Sequence, residues 1–140
     1  KYLTPALAER YSGAADYPAA AVAAIREMVR QTGPCQMEDG LLKRGTVIRH
    51  LVLPGRLAEA KGVMDFVSEE FPPGTVLFSL MSQYLPQGRA GEFPQLDRRL
   101  RGSEARAAQA YMEALGLEGF TQEGSAADAE YIPPFDLTGV

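Results

Sequence analysis

Apolar side chains recur at every third or fourth position along much of the chain, a spacing that predicts amphipathic helices packed against a core. The second predicted helix shows it clearly, with Val22, Ile25 and Val29 on one side and Thr32-Gly33-Pro34 as its end. The predicted helices run from Thr4 to Tyr11, from Asp16 to Thr32, from Leu57 to Phe71 and from Ser103 to Gly116. Ser103 is expected to cap the last of them, because serine favours that position.

Two apolar runs lack the helical spacing and predict strands. The run from Thr46 to Leu53 is rich in β-branched residues and has no polar alternation, which is typical of a strand buried on both faces. Thr75 to Met81 is the second run, and the helix between them makes a βαβ unit with parallel strands and a right-handed crossover. Gly119 to Gln122 predicts a short final strand. The fold class is therefore α/β with parallel strands, in one domain or part of one.

The remaining segments predict connections. Asp39-Gly40 suits a tight hairpin turn, since both central residues of a type I′ turn need positive φ. The stretch from Ser82 to Gly102 predicts a long loop. Ile132-Pro133-Pro134-Phe135 predicts an extended tail, because two prolines forbid a helix there.

So few core strands would leave sheet edges unpaired, which isolated domains avoid. We therefore expect the sheet to continue, either in further strands or in a second copy of the chain that associates through the open edge. The chain also starts at Lys1 without an initiator Met and runs directly into a helix signal. From both features we expect residues 1–140 to be a single partial domain of a larger protein.

Composition narrows the classes of partner. Fourteen Lys and Arg against eighteen Asp and Glu give a net charge of −4 without a basic stripe, which argues against nucleic acid. No run approaches the roughly 20 apolar residues of a membrane span, so no membrane partner is expected. A lone thiol, Cys35, excludes an internal disulfide and suits a reducing compartment, so we expect a cytoplasmic protein. The basic cluster Arg98-Arg99-Leu100-Arg101 is interpreted as solvated surface in preference to an anion site.

Arg49 and His50 interrupt the apolar strand and, as neighbours, point to opposite faces. An inward guanidinium needs an acidic partner or an anionic ligand, and the residues alone leave both interpretations of Arg49 open. His50 is interpreted as a hydrogen-bonded packing residue. Together with Cys35 it provides too few ligands for zinc, which needs about four.

The ends of the two predicted strands carry the other candidate ligand contacts. Pro54-Gly55 follows the first strand, at the edge where βα loops gather ligands, and glycine allows a ligand to approach the backbone. Gln83 and Tyr84 follow the second strand with an amide and a phenol. The alternatives are an ordinary turn and a packed tyrosine.

Taken together, these segments resemble the C-terminal half of a radical S-adenosylmethionine (SAM) protein, in particular the uncharacterised relatives of pyruvate formate-lyase activating enzyme. The resemblance extends over nearly the whole chain. The segments that carry it are Lys1-Tyr2, Ala8 to Ser12, Glu27 to Gln31, Ile48 to Gly55, Met81 to Tyr84, Gly119 to Gly124 and Ile132 to Asp136.

The resemblance implies a fold and a cofactor site. The fold would be the C-terminal portion of a partial (β/α)6 TIM-like barrel, and the cofactors of the complete protein would be S-adenosylmethionine and a [4Fe-4S] cluster. Lys1 matches the lysine of an Asp-x-Lys motif near the cofactor, and Arg49 matches the arginine of the fifth strand, which favours a ligand-facing role. The cofactor-binding candidates are Lys1, Arg49, Pro54, Gly55 and Tyr84, the last by position only because the family has a histidine in that neighbourhood.

One departure from the family is large. The Cys-x-x-x-Cys-x-x-Cys motif that holds the cluster is absent, and Cys35 matches none of its cysteines. We therefore expect no catalytic residue and no metal ligand in this chain, which alone would be inactive. The complete protein would generate a 5′-deoxyadenosyl radical, with a glycyl radical enzyme as its protein substrate. The alternative is a non-catalytic α/β binding or scaffold domain that dimerisation completes.

Overall fold

The computed structural model describes residues 1–122 of the 140-residue chain, so the predicted extended tail at 132–135 lies outside the described residues. The helices of the described part are α1 (Pro5–Ser12), α2 (Tyr17–Thr32), α3 (Leu57–Glu70) and α4 (Gly102–Ala114), with one 3-10 helix (Gly88–Glu92). The strands are β1 (Gln36–Glu38), β2 (Leu41–Arg44), β3 (Thr46–Leu51), β4 (Val76–Met81) and β5 (Gly119–Gln122). All four predicted helices and the predicted hairpin, βαβ unit and final strand are therefore confirmed.

Strands β3, β4 and β5 form one parallel sheet in that spatial order, with Thr46 opposite Val76 and Phe78 opposite Gly119. Strands β1 and β2 form a separate antiparallel hairpin. Asp39 and Gly40 at its turn have φ values of 51° and 75°, as the predicted turn type requires.

The three-stranded sheet has one covered and one uncovered face. Helices α2, α3 and α4 all pack on the same face, and the core lies between them and the sheet. The buried residues of this core are Ile48, Val52, Ala60, Val63, Met64, Val67, Val76, Phe78, Leu80, Ala108 and Met112. On the other face Val47 and Arg49 are exposed. The prediction that β3 is buried on both faces is therefore wrong. The sequence did not show the alternation of buried and exposed positions, because the exposed Val47 is apolar.

The start of α4 corrects two further predictions. Ser103 is not the cap, because the helix already begins at Gly102 and the Glu104 carboxylate accepts the Arg101 backbone N–H at 2.9 Å. The basic cluster is not entirely solvated either. The Arg98 side chain is only 28% exposed and forms an ion pair with Glu104 at 2.8 Å.

Within residues 1–122 the sheet is open, and both its outer strands, β3 and β5, have one edge without a strand partner. The α/β class with a parallel sheet is thus confirmed, whereas these residues form no closed barrel. No helix among the described residues has the length and apolar character that crossing a bilayer requires.

A second, smaller apolar cluster lies at the carboxyl end of β3. Its buried members are Tyr2, Ala8, Leu53, Ala90 and Leu96. The Glu59 carboxylate on α3 fixes the adjoining chain by accepting hydrogen bonds from the Leu3 and Thr4 backbone N–H groups at 2.6 and 2.7 Å. The Thr4 hydroxyl donates to the same carboxylate instead of capping α1. The segment before α1 is thereby held against α3, next to the carboxyl end of β3.

Candidate functional site

A group of polar side chains lies on the uncovered face of the sheet, towards the carboxyl ends of the strands. Arg49 on β3 stands opposite Ser79 on β4, and Met81 stands opposite Gln122 on β5, so all four side chains share one face. Gln83 follows β4. We call Arg49, Ser79, Gln83 and Gln122 the sheet-face cluster.

Arg49 reaches across the sheet within this cluster. Its Nη2 donates to Gln122 Oε1 at 3.5 Å, although β4 lies between the two strands. Gln83 Nε2 donates to the same oxygen at 2.9 Å. No carboxylate among residues 1–122 lies within ion-pair distance of Arg49. Of the two interpretations of Arg49, the structural ion pair therefore has no acidic partner in the described part of the chain.

Two oxygens of the cluster are buried without a hydrogen-bond partner among the described residues: Ser79 Oγ and Gln83 Oε1. The Ser79 side chain is fully buried even though it faces the uncovered side of the sheet. Leaving such a group unpaired costs about 1–3 kcal/mol. The cluster thus contains one cationic donor, one buried unsatisfied amide oxygen and one buried unsatisfied hydroxyl, groups that could bind a polar or anionic ligand.

A cavity of about 240 Å³ opens at the carboxyl end of β3 and brings two predicted site residues together. Lys1 and Tyr84 line it, along with Leu51 and Leu53. The Tyr84 hydroxyl donates to the Leu96 carbonyl at 3.0 Å, and burial raises the pKa of Tyr84. Tyr84 therefore presents its ring to the cavity while its hydroxyl is engaged by the protein.

A second cavity, of about 70 Å³, lies between α2, α3 and β3 and is lined by Lys1, Arg49 and His50. His50 is 2% exposed and stacks on Phe78 with ring centroids 6.2 Å apart. Burial, with a smaller contribution from the positive amino terminus, lowers the pKa of His50 to about 4. The packing role is confirmed, but neither ring nitrogen has a hydrogen-bond partner among residues 1–122.

Pro54 and Gly55 lie apart from the sheet-face cluster. The Pro54 side chain is fully buried, and the Gly55 backbone N–H donates to Glu104 Oε1 at 2.7 Å. Glu104 also accepts two hydrogen bonds from Arg98 at 2.8 Å, which together with its backbone contacts lower the pKa of Glu104 to about 2. The Gly55 N–H is therefore held by a carboxylate of the protein itself.

The five residues predicted to bind a cofactor thus lie in different parts of the structure. Lys1 shares one cavity with Tyr84 and another with Arg49, whereas Pro54 and Gly55 belong to the loop that Glu104 holds. Sequence reasoning missed Ser79 and Gln122. The available signal for Ser79 was its position as the only polar residue in the otherwise apolar strand Val76–Met81.

Cys35 lies at the opposite end of the sheet. Its Sγ donates weak hydrogen bonds to the carbonyls of Thr75 and Thr46, at 3.5 and 3.9 Å, where β3 and β4 begin. Among residues 1–122 there is no group of three or more His, Cys, Asp or Glu side chains that could hold a metal ion.

Comparison with known proteins identifies one short similarity. No family model matches the chain, and no solved structure matches it. Over 73 residues, 51% of its length, the chain is 34% identical to the uncharacterized protein MJ0674 of Methanocaldococcus jannaschii. The match spans only 21% of that protein, about a fifth of its length. This similarity does not assign the chain to a family.

Proposed function

We propose that the chain forms the C-terminal wall of a partial (β/α)6 barrel in a radical SAM protein that resembles pyruvate formate-lyase activating enzyme. In this proposal the uncovered face of β3, β4 and β5 is the inner wall of the barrel, and α2, α3 and α4 are its outer layer. Parallel strands with helices on one face only are what a segment of such a barrel looks like.

The observation that carries the proposal is the position of Arg49. Its guanidinium projects from the outer strand β3 onto the face without helices and has no acidic partner among residues 1–122. In a barrel that face surrounds the ligand, because active sites form at the carboxyl ends of the strands. A carboxylate-bearing ligand would supply the missing counter-charge.

The residues present fit S-adenosylmethionine but not the iron-sulfur cluster. Arg49 carries positive charge on the uncovered face and Lys1 beside the carboxyl end of β3, and Ser79 and Gln83 have buried oxygens without partners in the described part of the chain. The single cysteine in 140 residues cannot hold a cluster that needs three thiolates. In this proposal the cluster ligands come from outside the 140 residues, and the chain alone is inactive.

When bound to its cluster, S-adenosylmethionine supplies a 5′-deoxyadenosyl radical for hydrogen abstraction. This chain's contribution would be binding: Arg49 would hold the carboxylate, and Lys1 would lie at the carboxyl end of β3, where it lines the cavity of about 240 Å³ together with Leu51. The apolar Leu77 and Met81 on the same face would keep water away from the site. We further propose a cytoplasmic location and a glycyl radical enzyme as protein substrate.

The test is expression of the chain together with the coding sequence that precedes Lys1 in its gene. We expect a Cys-x-x-x-Cys-x-x-Cys motif there, a [4Fe-4S] absorption band after anaerobic reconstitution, and formation of 5′-deoxyadenosine. Arg49→Ala should weaken S-adenosylmethionine binding strongly. Arg99→Ala, an exposed arginine elsewhere, is the matched control. Absence of the motif upstream, or a cluster assembled by the 140 residues alone, would refute the proposal.

A second candidate rests on the sheet edges. The outer edges of β3 and β5 have no strand partner among residues 1–122, and Val47 and Phe120 on the uncovered face are 36% and 46% exposed. A non-catalytic binding domain completed by dimerisation would cover these groups. Light scattering and hydrogen exchange together separate the candidates. A dimer whose edge amides resist hydrogen exchange would favour the binding domain.

A further inference from the structure

Ser79 is an unusual choice for the centre of β4. The strand reads Val76-Leu77-Phe78-Ser79-Leu80-Met81, and Ser79 is fully buried with no partner for its Oγ among residues 1–122. Serine is not among the β-branched and aromatic residues that strands favour, and an unpaired buried hydroxyl lowers stability relative to an apolar residue. Local sequence choices that lower stability in this way are concentrated at functional sites.

Arg49 explains why Ser79 is buried on a face that no helix covers. Arg49 stands opposite Ser79 in the register, and its side chain extends over β4 to reach Gln122 on β5. The arginine stem therefore lies over the serine. A larger side chain at position 79 would obstruct this path, because the crossing brings the stem close to the strand.

The contact that holds Arg49 in this position is weak. The Nη2 to Oε1 distance of 3.5 Å is at the long limit for a hydrogen bond, and Gln122 Oε1 keeps its shorter bond of 2.9 Å from Gln83 if Arg49 leaves. A charged acceptor would bind the guanidinium more strongly than this neutral amide does. The arginine can therefore be drawn away at low cost.

We infer that Ser79 is a ligand-binding hydroxyl that Arg49 covers when no ligand is bound. A carboxylate that binds Arg49 draws the guanidinium off Gln122, and the uncovered Ser79 Oγ donates a second hydrogen bond to that carboxylate. The apolar Leu77 and Met81, on the same face, flank Ser79 and suit a short aliphatic chain next to the carboxylate. The site therefore takes aliphatic carboxylates.

This inference deepens the proposed function and rests on it only in taking the uncovered face as the ligand side. Its test needs no cluster and no catalytic activity, because it concerns residues of this chain alone. The two can therefore fail separately: the upstream motif decides the proposed function, and carboxylate binding by the 140-residue chain decides the inference.

The probe is butyrate, with butyramide as the uncharged analogue of the same shape. Each is titrated into the 15N-labelled 140-residue chain at constant ionic strength, and the Arg49 Nε–Hε resonance and the Ser79 amide are followed by NMR. We expect butyrate alone to shift both resonances in a saturable manner. Ser79→Ala should weaken butyrate binding about ten- to a hundredfold, the effect of losing one hydrogen bond to a charged group.

Stability measurements separate this role from a structural one. If the Ser79 hydroxyl is unpaired without ligand, Ser79→Ala keeps or raises the urea midpoint while it weakens butyrate binding. Ser82→Ala is the matched control and should change neither quantity, because Ser82 directly follows β4 and lines a different cavity together with Leu80 of the covered face. A lower urea midpoint for Ser79→Ala, unaltered butyrate affinity in that variant, or no butyrate binding by the wild-type chain would each overturn the inference.

Discussion

The two faces of the parallel sheet differ in what their side chains do. On the covered face, Ile48, Phe78 and Leu80 are buried against α2, α3 and α4 and belong to the core. On the uncovered face, Arg49 and Ser79 carry charge and an unpaired hydroxyl at the corresponding positions of the same strands. Of two adjacent residues in one strand, one thus packs in the core and the other carries a polar group on the uncovered face.

Under the proposed function, this difference separates stability from ligand binding in space. Burial of apolar area stabilises the fold by about 25 cal/mol per Å², so the covered face supplies most of the stabilisation. The uncovered face keeps polar groups that reduce stability, which is the pattern expected where a ligand binds. Substitutions on the two faces should therefore have opposite consequences for folding and for binding.

The largest expected effect is on the covered face. Phe78 is fully buried in β4, whereas Phe120 in β5 is 46% exposed on the uncovered face. We expect Phe78→Ala to lower the free energy of unfolding by about 3–5 kcal/mol because it leaves a cavity in the core. Phe120→Ala should cost less than about 1 kcal/mol. Urea unfolding monitored by circular dichroism measures both, and similar losses in the two variants would mean that a further element covers Phe120.

The second effect concerns pH and His50, also on the covered face. Its pKa is about 4 in the folded chain against 6.5 in the unfolded one, so the unfolded state takes up the proton first. The stabilisation is fully present above pH 6.5 and is lost as the pH falls towards 4. At about 1.36 kcal/mol per pKa unit, the loss approaches about 3 kcal/mol.

The charged groups near His50 are the Glu59 carboxylate, which raises its pKa, and the amino terminus of Lys1, which lowers it. The measurement is urea unfolding of the wild-type chain and of His50→Leu at several pH values between 7 and 4. We expect a flatter profile for His50→Leu over this window. An equally steep profile in the variant would mean that other groups cause the acid sensitivity.

Much of the fold could be predicted because local signals and tertiary packing agree in it. Gly33 ends α2 as the sequence predicts, and the Asp39-Gly40 turn has the required positive φ values. The apolar residues of α3 recur with helical spacing, and four of them are buried in the core. In each case the few residues that determine the element also lie next to one another in the chain.

The site could be predicted only in part, because its contacts join distant residues. The Arg49 side chain meets Gln122, 73 positions later, and the Gly55 N–H meets Glu104, 49 positions later. Neither contact has a signal in a single sequence. The exposed face of β3 was missed for a different reason, since Val47 is apolar and Arg49 was the only polar residue available to mark that face.

The third prediction concerns the contact between the loop after β3 and helix α4. Glu104 accepts hydrogen bonds from Gly55, Arg98 and Arg101, so Glu104→Ala should lower the free energy of unfolding by about 1–2 kcal/mol and loosen the loop after β3. Glu113→Ala is the control, because the Glu113 carboxylate on the same helix makes one exposed contact, from Gln109.

The pH dependence of this contact should lie below that of His50. The pKa of Glu104 is held at about 2, below its usual value of 4.5, so its stabilisation is present above pH 4.5 and is lost as the pH falls towards 2. Hydrogen exchange of the Gly55 amide reports the contact directly. If that amide exchanges no faster in Glu104→Ala, the carboxylate does not hold the loop.

The smallest expected effect on stability is that of Arg49→Ala, and it tests the division between the two faces most directly. The Arg49 guanidinium has no acidic partner among residues 1–122, and its one contact, with Gln122, is 3.5 Å long. Its removal also exposes Ser79 Oγ to water, which relieves an unpaired buried hydroxyl. We therefore expect the free energy of unfolding at pH 7 to change by less than about 0.5 kcal/mol, while butyrate binding is abolished. A loss above about 1.5 kcal/mol with binding retained would assign Arg49 to the stability of the fold, and both faces of the sheet would then serve the same task.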